Sequence, residues 1–443
     1  MEDRAEHPAR TAIVIGGGIG GLTAAAALHR RGWSVTVLER AASLEPVGAG
    51  IALAPNAQRA LDTIDVGDAV RSVAVRRATW DLRLPGGHRL SRTTDTAAVR
   101  RFGGPVVIQH RADVVNLLAS RLPTGAVRTG VTARLADPGD PARPDRPARV
   151  HLTDRHGRPH PSGHGDHLTA DLVVAADGIH SATRRLLFPT HPEPRYAGVT
   201  TWRMVVPAPD RTCAAHETWG RGGLWGTIPL SDGRVYAYAQ AAVPSGGSAP
   251  DDERAELLRR FGTWHHPVPA ILRATDPAAI LRNDVYSGTR PVPAFHHGRV
   301  ALLGDAVHPM TPSLGQGGCQ AIEDAVVLAH LVGLATGSPN GPDQSYGSGN
   351  PPTLTAALAR YTRERRPRTT EVVRRSARVS RATTWSSLPA HLLRAAGLAL
   401  AARRAPDLGL RALDGIADWC PPPGAYASGT RGTQITAHSR ENQ

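Results

Sequence analysis

The chain has 443 residues, 41% of them hydrophobic, and a formal net charge of +14 in which all 52 basic residues are arginine and none is lysine. That length exceeds one comfortable core and calls for two or three packed units. No apolar run reaches the roughly eighteen residues of a membrane span, and the mixed-charge start Met1-Glu2-Asp3-Arg4-Ala5-Glu6 is unlike a signal peptide. A nucleic-acid partner is not expected, because a functional basic patch is clustered and these arginines are spread along the chain. The densest group, Arg363 to Arg368 with Arg374 and Arg375, reads as the solvated face of a C-terminal helix. Cys213, Cys319 and Cys420 are scattered, with neither metal spacing nor a disulfide framework. A reduced, cytoplasmic protein, monomeric or homodimeric and without a metal site, is the expectation.

Thr11-Ala12-Ile13-Val14-Ile15 is short and almost wholly apolar, as a buried parallel strand should be. Gly16-Gly17-Gly18-Ile19-Gly20-Gly21 follows, then a helix-forming run from Leu22 to Arg30 that Gly32 ends, then a strand from Ser34 to Leu38 leading into Glu39 and Arg40. This is the order of a dinucleotide site. Gly16 permits the turn, Gly18 lets backbone approach a pyrophosphate, Gly21 allows close packing, and the helix start faces the phosphates. Glu39 suits the adenosine ribose hydroxyls and repels a 2′-phosphate at that position.

Farther along, Arg111 opens a helical run through Leu118, preceded by Gln109-His110. Residues Asp137 to His167 are dense in proline, glycine and histidine, with one strand at Ala148–Leu152. His156, His160, His164 and His167 read as an exposed biased loop rather than a metal tract. Asp171 to Ala176 is another buried strand, closed by Asp177-Gly178 and followed by Ser181 and Arg184. Between Tyr196 and about Leu281 lie alternating apolar and aromatic runs, with a Ser231-Asp232-Gly233 hairpin turn. Alternation puts Thr201, Arg203 and Val205 on one face and Trp202 and Met204 on the other. Finally, Leu302-Leu303-Gly304-Asp305 ends a strand, and a proline- and glycine-rich loop through His308, Pro312, Leu314, Gly315, Gly317 and Gly318 leads into a helix near Cys319. An acid at a strand end beside a positive helix start suits a nucleotide with a hydroxylated chain and an electron-accepting ring.

Together these segments resemble the group A, single-component FAD-dependent aromatic hydroxylases, closest to the branch of salicylate hydroxylase, urate hydroxylase and zeaxanthin epoxidase. The resemblance runs from Thr11 to about Arg375 and includes Val47-Gly48-Ala49-Gly50-Ile51 with Asn56, Gln109-His110-Arg111 and Trp202-Arg203. Two departures are small: Ala175 stands for a frequent glycine and Val307 for a frequent alanine. The implied fold is α/β, a Rossmann-like FAD domain (1–78, 100–185, 283–336) with an inserted antiparallel sheet as substrate domain (79–99, 186–282). C-terminal helices (354–419) and flexible stretches (337–353, 420–443) complete it.

The implied chemistry is hydroxylation of an aromatic or polycyclic small molecule with NAD(P)H and O2, through a flavin C4a-hydroperoxide. Epoxidation or Baeyer–Villiger insertion uses the same flavin chemistry, and a flavin-binding regulator without turnover is a further alternative. By the resemblance, Gly16, Gly18, Ile19, Gly20, Gly21, Glu39, Arg40, Gly50, Ile51, Arg111, Asp177, Gly178 and Asp305 hold FAD. So do Pro312, Leu314, Gly315, Gly317 and Gly318, with Pro312 beside the ring. A nicotinamide donor binds transiently, with Asp177, Gly178 and nearby arginines as candidates. Arg203, Pro312 and His308 are the catalytic candidates, although His308 also suits anchoring its own loop. Trp202, Arg203, Trp225, Tyr236 and Tyr238 are the substrate candidates. A flavin halogenase is excluded because it needs a relay lysine, and the Gly-Gly-Arg cluster of amine oxidases is missing.

Overall fold

The computed structural model describes residues 9–44, 50–73, 79–154, 158, 167–209, 213–335, 352–404 and 407–425. Val47-Gly48-Ala49, His156, His160, His164, the 337–350 loop and the tail from 426 lie outside the described residues.

The apolar run at Thr11–Ile15 forms the centre of a six-stranded sheet, flanked by Ser34–Leu38 on one side and Leu172–Ala175 on the other. Val300–Leu302 pairs beyond Leu172–Ala175, so strands nearly 300 residues apart in sequence lie in one sheet with a single strand between them; all these pairings are parallel. Val127–Arg128 and the antiparallel His296–His297 close the two edges. Both faces are covered, which is why the strands carry no polar alternation. The Ile19–His29 helix, rich in alanine and buried nearly all round, packs against the Gly317–Ala335 helix. That second helix is long and apolar enough to cross a membrane by length and composition, but here it lies in the core.

A second, seven-stranded sheet runs in the order 281–287, 195–207, 234–241, 223–229, 216–219, 79–83, 89–94. It is antiparallel except where His216–Trp219 runs parallel to Thr79–Arg83, the join between two stretches far apart in sequence. Strand Leu281–Ser287 belongs wholly to this sheet, so its limit falls past the expected 282. Period-two alternation sorts the faces. Trp202, Met204 and Val206 point to a core with Trp225, Leu257, Phe261, Ile271 and Leu272, built on the Glu253–Phe261 and Val268–Ala274 helices. Thr201 and Arg203 point to the opposite face, toward the first sheet's strand ends.

The C-terminal Leu354–Thr383 helix, about 45 Å of rod at 1.5 Å per residue, packs on the Gly317–Ala335 helix. The expectation of a solvated arginine face at 363–368 is corrected here. Arg365 has a side chain only 1% exposed, because two acids on the neighbouring apolar helix need a cation inside the protein.

Candidate active site

At the end of the Thr11–Ile15 strand the chain turns through Gly16 at φ +108°, a region that L side chains rarely adopt. A Cβ there would lie 2.4 Å from the Ala176 carbonyl oxygen, and one on Gly21 would lie 2.0 Å from the Gly16 carbonyl oxygen. Only glycine fits either place. Above Gly18 nothing lies within 4 Å of a Cβ position, so this backbone is open to a ligand. The helix begins at Ile19, and its unpaired first amides and positive end form an anion site. Glu39, at the end of the adjacent strand, accepts hydrogen bonds from Gly17 N (2.6 Å) and Ala41 N (2.8 Å). Arg40 is exposed beside it.

The second strand end presents Asp177 and Gly178. Asp177 Oδ2 accepts from Thr183 N at 3.0 Å, while its buried Oδ1 has no partner. Ser181 caps the next helix by accepting from Arg184 N at 2.8 Å. Arg184, 2% exposed, donates to the carbonyls of Ala306 and Ile179, both at 3.0 Å. It thereby ties the Asp177 turn to the third segment.

That third segment turns at Gly304 (φ +61°), runs through short 3-10 turns at Gly304–Ala306 and Pro312–Leu314, and enters the Gly317–Ala335 helix. Asp305 is exposed along the cavity wall, yet the protein surrounding it pushes its carboxyl above the usual range, against the opposing pull of His308 and Arg111. Arg111 is lowered by burial and by the nearby Arg203 charge, with Asp305 acting the other way. Strand Gly50–Leu53 pairs with Val107–His110, Ile51 opposite Gln109, and so brings Gly50 and Ile51 beside Arg111.

These segments line one cavity of about 920 Å³. Gly18, Ile19, Gly20, Gly21, Gly50, Ile51, Arg111, Gly178 and Asp305 are in its wall, as are Pro312, Leu314, Gly315, Gly317 and Gly318. Gly16 lies beneath it; Glu39, Arg40 and Asp177 lie outside its lining. The donor set fits FAD. A helix start suits a diphosphate, an acid and an arginine suit a hydroxylated chain, and loop amides suit an electron-rich ring edge. Unpartnered Ser313 Oγ, in the cavity wall, adds polar capacity.

The same cavity continues under the seven-stranded sheet, where Thr201, Arg203, Glu217, Trp219, Tyr236 and Tyr238 form part of the roof. Arg203 Nη2 donates to Asn283 Oδ1 at 2.8 Å, while its buried Nε has no partner. Burial pushes the Tyr236 phenol up to about 12. Trp202 and Trp225 must be removed from the substrate candidates. Both are fully buried on the far face, Trp202 Nε1 donating to Glu253 at 2.6 Å and Trp225 Nε1 to Thr227 Oγ1 at 2.9 Å. His308 is likewise absent from the cavity lining; it is 5% exposed and its Nε2 lies 2.6 Å from Asp324 Oδ2. It anchors its loop.

A buried polar network went unread in the sequence. Glu323 accepts from Asn56 (2.6 Å), Gln320 (2.9 Å) and Arg368 (2.7 Å), and Asp324 from Gly304 N (3.0 Å) and Arg365 (2.7 Å). The signal was present. Glu323-Asp324 interrupts an otherwise apolar helix, and adjacent buried acids require cations.

Residues 9–376 match the family described as FAD binding domain. The chain is 36% identical over 379 residues to the aurachin C monooxygenase/isomerase of Stigmatella aurantiaca, covering 85% of this chain and 90% of that one. It is 35% identical over 379 residues to a 3-amino-4-hydroxybenzoate 2-monooxygenase of Streptomyces cremeus (83% and 86% covered). It is 34% identical over 326 residues to the FAD-dependent urate hydroxylase of Klebsiella pneumoniae (72% and 80%). The crystal structure of Klebsiella pneumoniae HpxO with FAD and uric acid superposes with a TM-score of 0.76 at 27% identity, covering 92% of this chain and 96% of that one. With its three glycine- and acid-bearing strand ends gathered on one cavity, this chain belongs to the FAD-binding-domain family, among the single-component FAD-dependent aromatic hydroxylases.

Proposed function

We propose that this flavoprotein monooxygenase inserts one oxygen atom, by hydroxylation, into an aromatic or polycyclic small molecule bearing an acidic or phenolic oxygen. The observation that carries this reading is the continuity of the cofactor cradle with the roof, where Arg203 sits within electrostatic reach of Arg111. In this reading the helix start at Gly18–Gly21 holds the diphosphate and Glu39 the adenosine ribose. Arg111 and Asp305 lie along the ribityl chain, and the amides after Pro312 face the pyrimidine edge. Bound FAD supplies the redox chemistry, taking two electrons from NAD(P)H and delivering one oxygen atom from O2.

The chain's own residues do the rest. A phenol beside Arg203 and Arg111 loses its proton more readily, because nearby positive charge favours the anion. The resulting electron-rich ring is better attacked by an electrophilic oxygen. Ile228, Leu224, Trp80 and Tyr236 wall the cavity and exclude water. Pro312 has no proton to exchange, so its part is contact and loop shape.

A second cleft of about 510 Å³ lies on the other side of the Val307-His308-Pro309 segment, lined by Arg290, Arg374, Arg378 and Arg381 among others. Its charge suits the phosphates of the nicotinamide donor. The scattered positions of Cys213, Cys319 and Cys420 along the chain fit a reducing, cytoplasmic setting.

The test is purification of the protein with its yellow cofactor, followed by a screen of aromatic acids, phenols and polyketides. Stimulated NAD(P)H oxidation with a product heavier by one oxygen supports the reading. No stimulation by any class overturns it.

A further inference from the structure

Glu217, an acid of the roof, lines the cavity from strand His216–Trp219, and among the described residues no cation forms an ion pair with it. Its Oε2 accepts from the Tyr238 hydroxyl at 2.5 Å, and its Oε1 accepts from Trp219 Nε1. The arrangement is built across the sheet. Arg203 is opposite Tyr238, Tyr238 opposite Gly226, and Gly226 opposite Glu217, one residue per strand in a single cross-strand row. Three inter-strand spacings of about 4.8 Å put roughly 14 Å between the ends of that row. Gly226 is what permits the link, since a Cβ there would lie 2.1 Å from Tyr238 Cζ. With Gly226 bare, the Tyr238 ring lies across the gap and reaches Glu217. Trp219 is held in turn by Arg394, whose guanidinium stands 5.7 Å from its ring centroid and donates to the Gly220 carbonyl at 2.7 Å.

A carboxylate offers about four acceptor positions, and two are filled here by neutral donors. Burial raises the Glu217 carboxyl above its usual range, with both donors pulling the other way. Tyr238 and Trp219 take one position on each oxygen, so further acceptor positions are left on a side chain that lines the cavity. A donor on the ligand can fill one of them.

We propose that Glu217 is a specificity-determining residue of this cavity, selecting aromatic acids that also carry an N–H or O–H donor at the end remote from Arg203. The inference rests on the reading of the cavity as an aromatic-substrate site. The occupant is thus bipolar, its acidic oxygen on Arg203 and its donor on Glu217, and the length of the row favours fused rings over a single one.

Calorimetric titration of the holoenzyme tests this with one-, two- and three-ring carboxylates offered as amino, dimethylamino and methyl versions, for example of 2-naphthoate substituted at position 6. Binding is read without turnover, so it separates this inference from the oxygenase reading. Failed NAD(P)H oxidation with preserved selectivity sinks only the latter. The amino ligand of the best-fitting ring size is expected to bind about tenfold or more tightly than both analogues that lack a donor. In Glu217→Gln that preference is expected to fall below about twofold, with the methyl ligand bound as before. If that variant fails to fold, Glu217→Asp, which keeps the charge but withdraws it, is read the same way. A wild type that binds all versions alike or binds none, or a variant that keeps the full preference, overturns the proposal.

Discussion

Arg365 Nε and Asp324 Oδ1 meet at 2.7 Å in the interior, with no more than 1% of either side chain exposed. The other carboxylate oxygen of Asp324 receives Gly304 N and faces His308 Nε2. The C-terminal helix therefore braces, through a single acid, the loop that carries Asp305. Replacing Arg365 by methionine leaves Glu323 and Asp324 short of a buried cation and is expected to cost about 3–5 kcal/mol. Urea unfolding measures it; a loss under about 1 kcal/mol would show that the acids find another partner.

The same pair sets an acid limit. Burial alone would raise the Asp324 carboxyl, but His308, Arg365 and the Gly304 amide prevail and bring it to about 2 from 3.8. A depressed folded-state value means stability that is present above pH 3.8 and lost as pH falls through about 2. Wild type should therefore lose its advantage over Arg365→Met progressively between about pH 4 and 2. A constant difference across that window would contradict the assignment.

Gly21 touches the preceding turn so closely that alanine cannot enter without displacing backbone. Gly21→Ala is expected to cost about 1–3 kcal/mol and to yield protein with little bound flavin. Gly18→Ala meets nothing within 4 Å, so it should fold normally and lose flavin affinity alone. Absorbance per protein and thermal unfolding, measured together, distinguish the two patterns.

Arg111 and Arg203 carry like charges close enough to lower the Arg111 value, yet they should fail differently. Arg111→Met is expected to raise the flavin Kd roughly tenfold to a hundredfold, the worth of a hydrogen bond to a charged group. Arg203→Met should leave flavin content intact and raise KM for acidic aromatics by a similar factor. Flavin fluorescence and steady-state kinetics read the two; equal effects of both variants on flavin would refute the division.

Arg374 and Arg378 stand four residues apart on the long helix and line the second cleft. The double alanine variant should raise KM for NAD(P)H several-fold with little change in kcat, and the effect should shrink in high salt, as exposed charges are screened. An unchanged KM would take the donor elsewhere.

Much of this was legible because its causes are local. Gly16, Gly18 and Gly21 follow an apolar strand at fixed spacing, and backbone sterics alone give them their places. Alternation along residues 200–206 sorted Arg203 from Trp202 correctly, but it did not say which face held the cavity, and so Trp202 and Trp225 were candidates for the wrong side. Helices Glu253–Phe261 and Val268–Ala274, which cover that far face, decide the matter, and no pattern within the strands encodes them. Arg365 was misread for a related reason. Charge density along a helix says nothing of the acids waiting on another helix more than 40 residues earlier in the chain.

The parallel pairing of Val300–Leu302 with Leu172–Ala175 has a consequence for how the protein is made. Synthesis proceeds at about 5–20 residues per second, so the nucleotide-facing strand ends exist for many seconds before their last neighbour emerges from the ribosome. Asp305 and the amides after Pro312 arrive later still. In the proposed cradle flavin capture is therefore a late event of biogenesis, and a nascent chain cut short of residue 300 would have the fingerprint glycines without Asp305 or the loop after Pro312.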